Sequence, residues 1–216
     1  MIISHKHKFI FFAVPKTATH AIREALRKHT DEDDWEQQVL FGQQYLPIPE
    51  LASIGHGHIS VTQLQPHLPR ETWESYFKFG FVRNPFDRFV STCSFLNRKN
   101  PNFNNNATAQ MKNALTFERF RQRILVQPQA SLLTGDDGEI ALDYVGRYED
   151  LQKSFDAVTE RLDLPPKDLD KINTSEHASY TKYYDDELKE EVGKFYASDL
   201  RVFDYDFESS PPTNWS

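Results

Sequence analysis

The chain has 216 residues, a formal net charge of −7 and a single cysteine. At roughly 150 residues per domain, this length predicts one domain that covers residues 1–216. Cys93 cannot form an internal disulfide, which excludes a small secreted fold held by disulfides. The longest early apolar run, Phe9 to Val14, is far shorter than the ~20 residues that cross a bilayer. We therefore expect a cytoplasmic protein with no integral membrane segment.

The excess of acidic residues falls in the second half of the chain, and the first half is close to neutral. Nucleic-acid binding requires a basic face that displaces counterions, so this composition argues against a nucleic-acid partner. An anionic ligand would have to be bound by a local pocket in the first half.

The first predicted unit is a strand followed by a helix. The run from Lys8 to Val14 is apolar and ends at Pro15, which is typical of a strand buried on both faces. Helical spacing starts at about Thr17 and ends near His29. The apolar stripe of this helix consists of Ala18, Ile22, Ala25 and Leu26.

The second unit repeats this order. Residues 76–82 form a strand-like run, Asn84 is a suitable helix cap, and Pro85 suits a first helical position. The helix is predicted to run to about Leu96.

A third strand over 141–147 leads into a helix over 151–162. A last helix is predicted at about 185–200 and a closing strand at 201–207. Strand, turn and helix repeated three times predict an α/β fold with a central, mainly parallel sheet flanked by helices. In such sheets, ligands bind beyond the carboxyl ends of the strands.

Three polar segments are expected on the surface. The acidic run 31–36 is interpreted as a solvated connection, and the segment 5–7 as exposed histidines and lysine. The asparagine-rich stretch after the second helix predicts a flexible loop of about 97–113.

The segment from Val14 to His20 lies where the first strand meets its helix. Free N–H groups and the helix dipole make that position an anion site, to which Lys16 adds a charge and Thr17 and Thr19 add hydroxyl donors. The layout is that of a phosphate-binding loop without its usual glycines. The alternative is a surface lysine and a simple helix cap.

Arg83 follows the second strand, and Ser91 lies two turns into the next helix. A guanidinium group can bind a phosphate through two parallel hydrogen bonds, and the serine hydroxyl can donate to the same group. Taken alone, Arg83 is equally suited to pair with Asp87. Together with the first loop, however, these residues indicate a ligand with two separate anionic groups.

These segments resemble known motifs. Residues 8–26 are similar to the 5′-phosphosulfate loop, and residues 79–95 to the 3′-phosphate motif, of sulfotransferases that use 3′-phosphoadenosine 5′-phosphosulfate (PAPS). Residues 145–151 and 183–205 fit the later pattern of the carbohydrate, or family 2, sulfotransferases. The resemblance spans nearly the whole chain and implies a three-layer, P-loop-like fold that takes PAPS as sulfuryl donor without a metal.

The resemblance also implies roles for single residues. Arg83 and Ser91 would hold the 3′-phosphate, and Lys16 would contact the phosphosulfate. Further donors to the phosphosulfate would come from Thr17, Ala18, Thr19 and His20. Many relatives have glycine where this chain has Ala18, whose methyl group favours a negative φ. We therefore expect a loop that is close to an ordinary helix start.

His56 and His58, separated by a glycine, lie between the two cofactor motifs and resemble the catalytic histidine pair of glycosaminoglycan 2-O-sulfotransferases. Histidine is the side chain best suited to accept a hydroxyl proton near neutral pH. In an extended segment both rings point to the same side. We expect His58 to be the base and His56 to assist it. A metal pair would need further ligands, which the neighbouring sequence lacks; a purely structural histidine pair is the other alternative.

These features predict in-line transfer of a sulfuryl group from PAPS to an acceptor hydroxyl, with 3′-phosphoadenosine 5′-phosphate (PAP) as product. His58 would accept the proton, and Lys16 would stabilise the departing phosphate. The histidine pair favours a saccharide acceptor, but the acidic second half would repel a polyanion. An uncharged sugar, a lipid-linked or bacterial surface glycan and a small alcohol stay open as acceptors. A bacterial enzyme is expected because no Golgi-anchoring helix is found.

Two alternatives stay open. A P-loop nucleotide kinase-like phosphotransferase would share the first loop but need Mg²⁺-binding acidic residues. A non-catalytic, glycan-binding descendant of the fold would bind a saccharide without consuming PAPS. Arg147 and Glu149 could reach the cofactor or form a structural pair, and Tyr180, Lys182 and Tyr183 could belong to a loop that closes over the nucleotide.

Overall fold

A computed structural model describes residues 1–39, 43–169 and 180–208. Within these residues the chain forms a five-stranded sheet with helices on both faces. The strands are β1 (Ile2–Ser4), β2 (Phe9–Phe12), β3 (Trp35–Glu36), β4 (Phe77–Val82) and β5 (Tyr144–Arg147), in the spatial order β3-β1-β2-β4-β5.

The sheet is mixed, not mainly parallel. β4 pairs in parallel with β2 and with β5, whereas β1 is antiparallel to both β2 and β3. β1 and β2 form a hairpin whose turn places Lys8 at φ 52°. Three residues are too few to show a strand period, which explains why the sequence pattern missed β1.

Helices follow the strands in the predicted order and are joined by shorter ones that were not predicted. They are α1 (Thr19–Arg27), α2 (Pro49–Ala52), α3 (Val61–Leu64), α4 (Arg70–Ser75), α5 (Pro85–Leu96), α6 (Ala107–Thr116), α7 (Glu118–Arg121), α8 (Ala130–Leu133), α9 (Leu151–Arg161), α10 (Asp186–Phe195) and α11 (Ala197–Val202). Single 3₁₀ turns lie at Gln65–His67, Asn104–Asn106 and Tyr180–Tyr183.

The alternation of side chains along β2 divides the core into two layers. Phe9 and Phe11 face α1 and α9, whereas Ile10 and Phe12 face α3 and α8. All four side chains are at most 1% exposed, and each buried phenylalanine stabilises the fold by about 1.5–3 kcal/mol. This packing gives three layers and brings the ends of β2, β4 and β5 to one edge.

The local signals for α5 are confirmed. The helix begins at Pro85, and the Asn84 side chain accepts a hydrogen bond of 3.0 Å from the backbone N–H of Phe86. The helix ends at Leu96, as predicted. α1 begins at Thr19 instead of Thr17 because the preceding loop is longer than an ordinary helix start.

The end of the described chain differs from the prediction. The expected helix at 185–200 is divided at Tyr196 into α10 and α11, and the expected strand at 201–207 is absent among the described residues. Phe203 and Tyr205 follow the end of α11 and are buried in the core that covers one face of the sheet. Their apolar character therefore comes from this packing and not from a strand.

Residues 107–113 are helical, which corrects part of the predicted 97–113 loop. The chain makes turns up to Phe103, and α6 then buries Ala107, Met111 and Leu115. These residues recur every four positions and pack against α5 and α10, which stabilises a helix.

Only the first part of the acidic run 31–36 is a solvated connection, since residues 31–33 are exposed. Its last two residues form β3, where the Glu36 carboxylate accepts hydrogen bonds from Arg23 and Arg27 at 2.9 and 2.8 Å. His5 is also less exposed than predicted. Its Nδ1 lies 2.7 Å from the Tyr76 hydroxyl, and its ring contacts Trp35.

Candidate functional site

The loop between β2 and α1 has a left-handed backbone at two non-glycine residues. Lys16 has φ 68° and Ala18 has φ 60° and ψ 26°. The expectation that Ala18 stays at negative φ is therefore wrong. A left-handed residue other than glycine costs about 1–2 kcal/mol, so tertiary contacts must hold this loop in a shape that glycine would adopt freely.

Thr17 braces this loop from within. Its side chain is buried, and its hydroxyl donates a hydrogen bond of 3.0 Å to the carbonyl oxygen of Val14. The hydroxyl proton is therefore directed at the loop itself, and a contact of Thr17 with the phosphosulfate stays a prediction.

The first turn of α1 presents backbone N–H groups without a side-chain cap. Thr19 is half-buried beside it, and His20 is exposed with Nε2 at 3.3 Å from Glu24 Oε1. Uncapped N–H groups at the positive end of a helix dipole attract an anion. The backbone of this segment therefore fits the predicted role better than its hydroxyls do.

Lys16 is held over an aromatic ring and not beside a carboxylate. Its Nζ lies 4.5 Å from the centroid of the Phe95 ring, and no ion pair of Lys16 is found in the described part of the chain. Burial lowers its pKa to about 8, with further contributions from the positive charges of Arg83 and Arg98. An anion near Nζ would relieve this repulsion.

Arg83 lies directly after β4 and reaches the same loop. One terminal nitrogen is 3.3 Å from the carbonyl oxygen of Lys16, and Nε donates a hydrogen bond of 2.7 Å to Asp87. The guanidinium group also lies 4.0 Å from the centroid of the Tyr148 ring. The pairing of Arg83 with Asp87 is therefore confirmed, and Arg83 also reaches the loop; its role at a phosphate stays a prediction.

Ser91 lies on the same face of α5, one turn after Asp87. Its side chain is buried, and the described residues provide no hydrogen-bond partner for its hydroxyl. Phe95 and Arg98 follow at four and seven positions further on, and the Arg98 guanidinium lies 4.4 Å from the Phe95 ring centroid. Sequence analysis missed Arg98; its spacing from Ser91 is the signal that could have found it.

The hydrogen bond of His58 determines its tautomer. Nδ1 lies 2.7 Å from the carbonyl oxygen of Ala13, which can only accept. Nδ1 therefore carries the proton, and Nε2 has a free lone pair. Burial is the main cause that lowers the pKa of His58 to about 3, so its ring is neutral at physiological pH.

His56 lies beside His58, with ring centroids 5.9 Å apart. The backbone is a tight turn and not an extended segment, because the N–H of His56 donates to the carbonyl of Ile54 at 2.7 Å. The His56 Nδ1 accepts a hydrogen bond of 3.3 Å from the N–H of His58, and burial lowers the pKa of His56.

Both histidines line a cavity of about 120 Å³ at the start of α1. Its other lining residues are Thr19, His20, Arg23, Gln38, Val39 and Gly57. A Cβ on Gly57 would lie 2.1 Å from the carbonyl oxygen of Gln37, so only glycine fits here. Arg23 holds the histidine segment against α1 by donating to the Gly57 carbonyl at 3.1 Å.

Arg147 and Glu149 each bond to another part of the chain. Arg147 donates to the carbonyl of Phe203 at 2.7 Å, and Glu149 accepts from the Asn84 N–H at 2.6 Å. The Tyr180 hydroxyl donates to the carbonyl of Phe207, and Lys182 is exposed. Of the predicted 177–184 loop, residues 177–179 lie outside the described residues.

No group of three or more possible metal-ligating side chains is found among the residues that the structure describes. In the same residues, no helix is long and apolar enough to cross a membrane. Cytoplasmic location and bacterial origin remain predictions.

The molecule is thus an α/β protein in which a loop with uncapped backbone N–H groups, Arg83 and the neutral His58 lie near the carboxyl ends of β2 and β4. The sequence profile of the sulfotransferase family matches residues 1–206. The chain therefore belongs to the sulfotransferase family, whose members generally use PAPS and a hydroxyl-bearing acceptor. It is also 25% identical to an uncharacterized protein of Archaeoglobus fulgidus over 114 residues, which cover 52% of this chain and 89% of that protein. No significant match was found among solved structures.

Proposed function

We propose that this protein transfers a sulfuryl group from PAPS to a saccharide hydroxyl, with His58 as the base. The observation that carries the proposal is the central position of the loop after β2. The carbonyl of Ala13, just before the loop, binds His58, and the carbonyl of Lys16, within the loop, contacts Arg83. A base, an anion-binding loop and a second anion-binding residue therefore meet around one segment.

The residues present fit PAPS, which supplies the sulfuryl group when bound. Lys16 and the uncapped N–H groups of α1 suit the 5′-phosphosulfate, because the positive charges of Arg83 and Arg98 act on Lys16 and the described residues include no carboxylate paired with it. Arg83 and the unpartnered hydroxyl of Ser91 suit the 3′-phosphate. Arg98, next to Phe95, adds a third positive charge to this anion-binding face.

The imidazole of His58 is neutral, so its Nε2 can accept a proton, and efficient general base catalysis requires that the bound anion raise its pKa from the low value in the free protein. Nε2 accepts the proton of the acceptor hydroxyl while the acceptor oxygen forms a bond to sulfur and the bond from sulfur to the 5′-phosphate oxygen breaks. Lys16 and the loop amides stabilise the charge that develops on that phosphate. The hydrogen bond from Nδ1 to Ala13 stabilises the imidazolium, and the bound anion raises its pKa further.

The cavity beside the histidines favours an uncharged acceptor. Its lining is mostly neutral, and its buried arginine, Arg23, is already paired with Glu36 at 2.9 Å. Hydroxyls of a neutral sugar can bond to Gln38, Thr19 and His56 without burying an unpaired charge. The acidic second half of the chain opposes the approach of a polyanion.

The test is transfer from labelled PAPS to neutral saccharides, sulfated polysaccharides and small alcohols, with product mass spectrometry. We expect a sulfated neutral saccharide, and we expect His58→Ala to lower turnover about 10²–10⁴-fold while PAP binding is retained. His67→Ala, which changes an exposed histidine, is the matched control and should leave turnover unchanged.

Two results would contradict the proposal. Stabilisation by ATP and Mg²⁺ but not by PAP would indicate a kinase-like phosphotransferase. Saccharide binding without consumption of PAPS would indicate a glycan-binding protein.

A further inference from the structure

A buried amide side chain holds the backbone of Arg83. The Arg83 N–H donates a hydrogen bond of 2.9 Å to Gln129 Oε1, and Gln129 Nε2 donates one of 2.8 Å to the Arg83 carbonyl. Gln129 is 0% exposed and lies just before α8. The Gln129 side chain thus bonds to both backbone groups of Arg83, as the backbone of a neighbouring strand would, at the point where β4 ends.

Asp199 holds Gln129 in turn. One carboxylate oxygen accepts hydrogen bonds from the backbone N–H and the side-chain Nε2 of Gln129 at 3.0 and 3.2 Å. The other oxygen, Oδ1, accepts a hydrogen bond of 2.8 Å from the N–H of Ala130. A terminal nitrogen of Arg88 lies 4.0 Å from Oδ2. Asp199 is 0% exposed, so these donors are what make its burial tolerable.

This chain of contacts ends on the residue that faces the ligand. The Arg83 guanidinium is oriented by Asp87 and Tyr148, but both contacts depend on where the Arg83 backbone lies. A bidentate arginine must be placed within a fraction of an ångström to bind a phosphate well. Two hydrogen bonds to a buried, immobilised amide meet that requirement.

We propose that Gln129, fixed by Asp199, is a positioning residue that aligns Arg83 on the 3′-phosphate and thereby makes the protein select nucleotides that carry one. The inference rests on the proposed function. It assigns to the buried Gln129–Asp199 pair a role in ligand selection beyond holding α8 and α11 together.

The test compares the affinities of the full chain for PAP and for adenosine 5′-monophosphate, which lacks the 3′-phosphate, by calorimetry. Gln129→Leu keeps the size of the side chain but removes both hydrogen bonds to Arg83. We expect it to reduce the preference for PAP roughly tenfold, with little change in the affinity for the monophosphate. Asp199→Asn should have the same effect to a smaller extent, because Asp199 reaches Arg83 only through Gln129.

Tyr196→Phe is the control for a loss of stability alone. The Tyr196 hydroxyl is buried nearby and donates to the carbonyl of Val126 at 2.7 Å, without touching Arg83. It should lower the Tm and leave the preference for PAP unchanged. A preference that also stays unchanged in Gln129→Leu would overturn the proposal.

If Gln129→Leu does not fold, Gln129→Met decides the question, because it also lacks the amide groups that bond to Arg83 and its flexible chain adapts more easily to a buried site. An unchanged preference in that variant would equally overturn the proposal. If the native chain itself shows no preference for PAP, the proposed function fails together with this inference. A native preference that survives every variant refutes the inference alone.

Discussion

The loop after β2 and the turn after β4 occupy neighbouring places at one edge of the sheet, but their backbones are held in different ways. In the first, Lys16 and Ala18 are left-handed, and no side chain caps the helix. In the second, Asn84 caps the helix, and Gln129 pairs with the backbone of Arg83. The N–H groups at the start of α1 therefore lack a side-chain cap, whereas backbone groups of the second segment bond to Asn84 and Gln129; under the proposed function the first would bind the ligand through its backbone and the second through a side chain.

The positive side chains of the two segments also differ in their surroundings. Arg83 has a carboxylate partner in Asp87, while Lys16 faces the ring of Phe95 and two arginines. An arginine whose charge is balanced by a carboxylate is expected to bind a phosphate about equally well in the ground state and in the transition state. A lysine without such a partner is expected to stabilise the transition state more, because negative charge develops there. We expect the two regions to contribute differently to binding and to turnover.

The largest expected difference between the two segments is that one substitution lowers kcat and the other raises KM. Lys16→Ala should lower kcat about 10²–10³-fold, because it removes charge stabilisation at the departing phosphate. Arg83→Ala should raise the KM for PAPS with a much smaller effect on kcat. Steady-state kinetics test this split, with Lys28→Ala, an exposed lysine just after α1, as a control of unchanged rate. Equal losses in kcat for Lys16→Ala and Arg83→Ala would show that the two segments do not differ in their contributions to turnover and to binding.

A second difference should appear with pH. The pKa of Lys16 is about 8 in the free protein, and a bound anion raises it, so binding above pH 8 takes up a proton. The affinity for PAP should therefore fall as the pH rises above 8, by at most about tenfold per pH unit. Calorimetry between pH 7 and pH 10 measures this dependence. Lys16→Arg keeps the charge and should flatten it; a native protein with no such fall would show that Lys16 does not contact the anion.

The smallest effect concerns the strained backbone. Ala18→Gly should raise the free energy of unfolding by about 1 kcal/mol, because glycine adopts a left-handed φ without the steric cost. Asn84→Ala should lower it by about 1 kcal/mol through the loss of the helix cap. Urea denaturation distinguishes the two. A loss of stability in Ala18→Gly would mean that the alanine methyl packs well enough to outweigh its strain.

Much of the unit around β4 could be predicted because its signals are local. The apolar run, the Asn84 cap and Pro85 lie within a few residues of one another, and they determine where β4 ends and α5 begins. The presence of Lys16 after the first strand and of Arg83 after the second was equally readable from the sequence, as was the family that the profile match then confirmed.

What the sequence could not show depends on contacts between distant residues. Gln129 bonds to Arg83 across 46 positions of the chain. Asp199 in turn bonds to Gln129 across 70 positions. No local pattern reveals such contacts. The φ of Ala18 could not be predicted either, because intrinsic preference favours negative φ for alanine and only the surrounding contacts override it.

The sequence by itself thus determined the three strand–helix units β2–α1, β4–α5 and β5–α9, the places of Lys16 and Arg83 after the first two strands, and the family, because these depend on short-range pattern and on motifs. The tertiary structure alone decided that β1 is antiparallel, that α6 replaces part of a loop, and that Thr17 bonds inward while Arg98 joins Lys16 at one ring. Each of these outcomes depends on which distant side chain reaches a given place, and packing in three dimensions decides that.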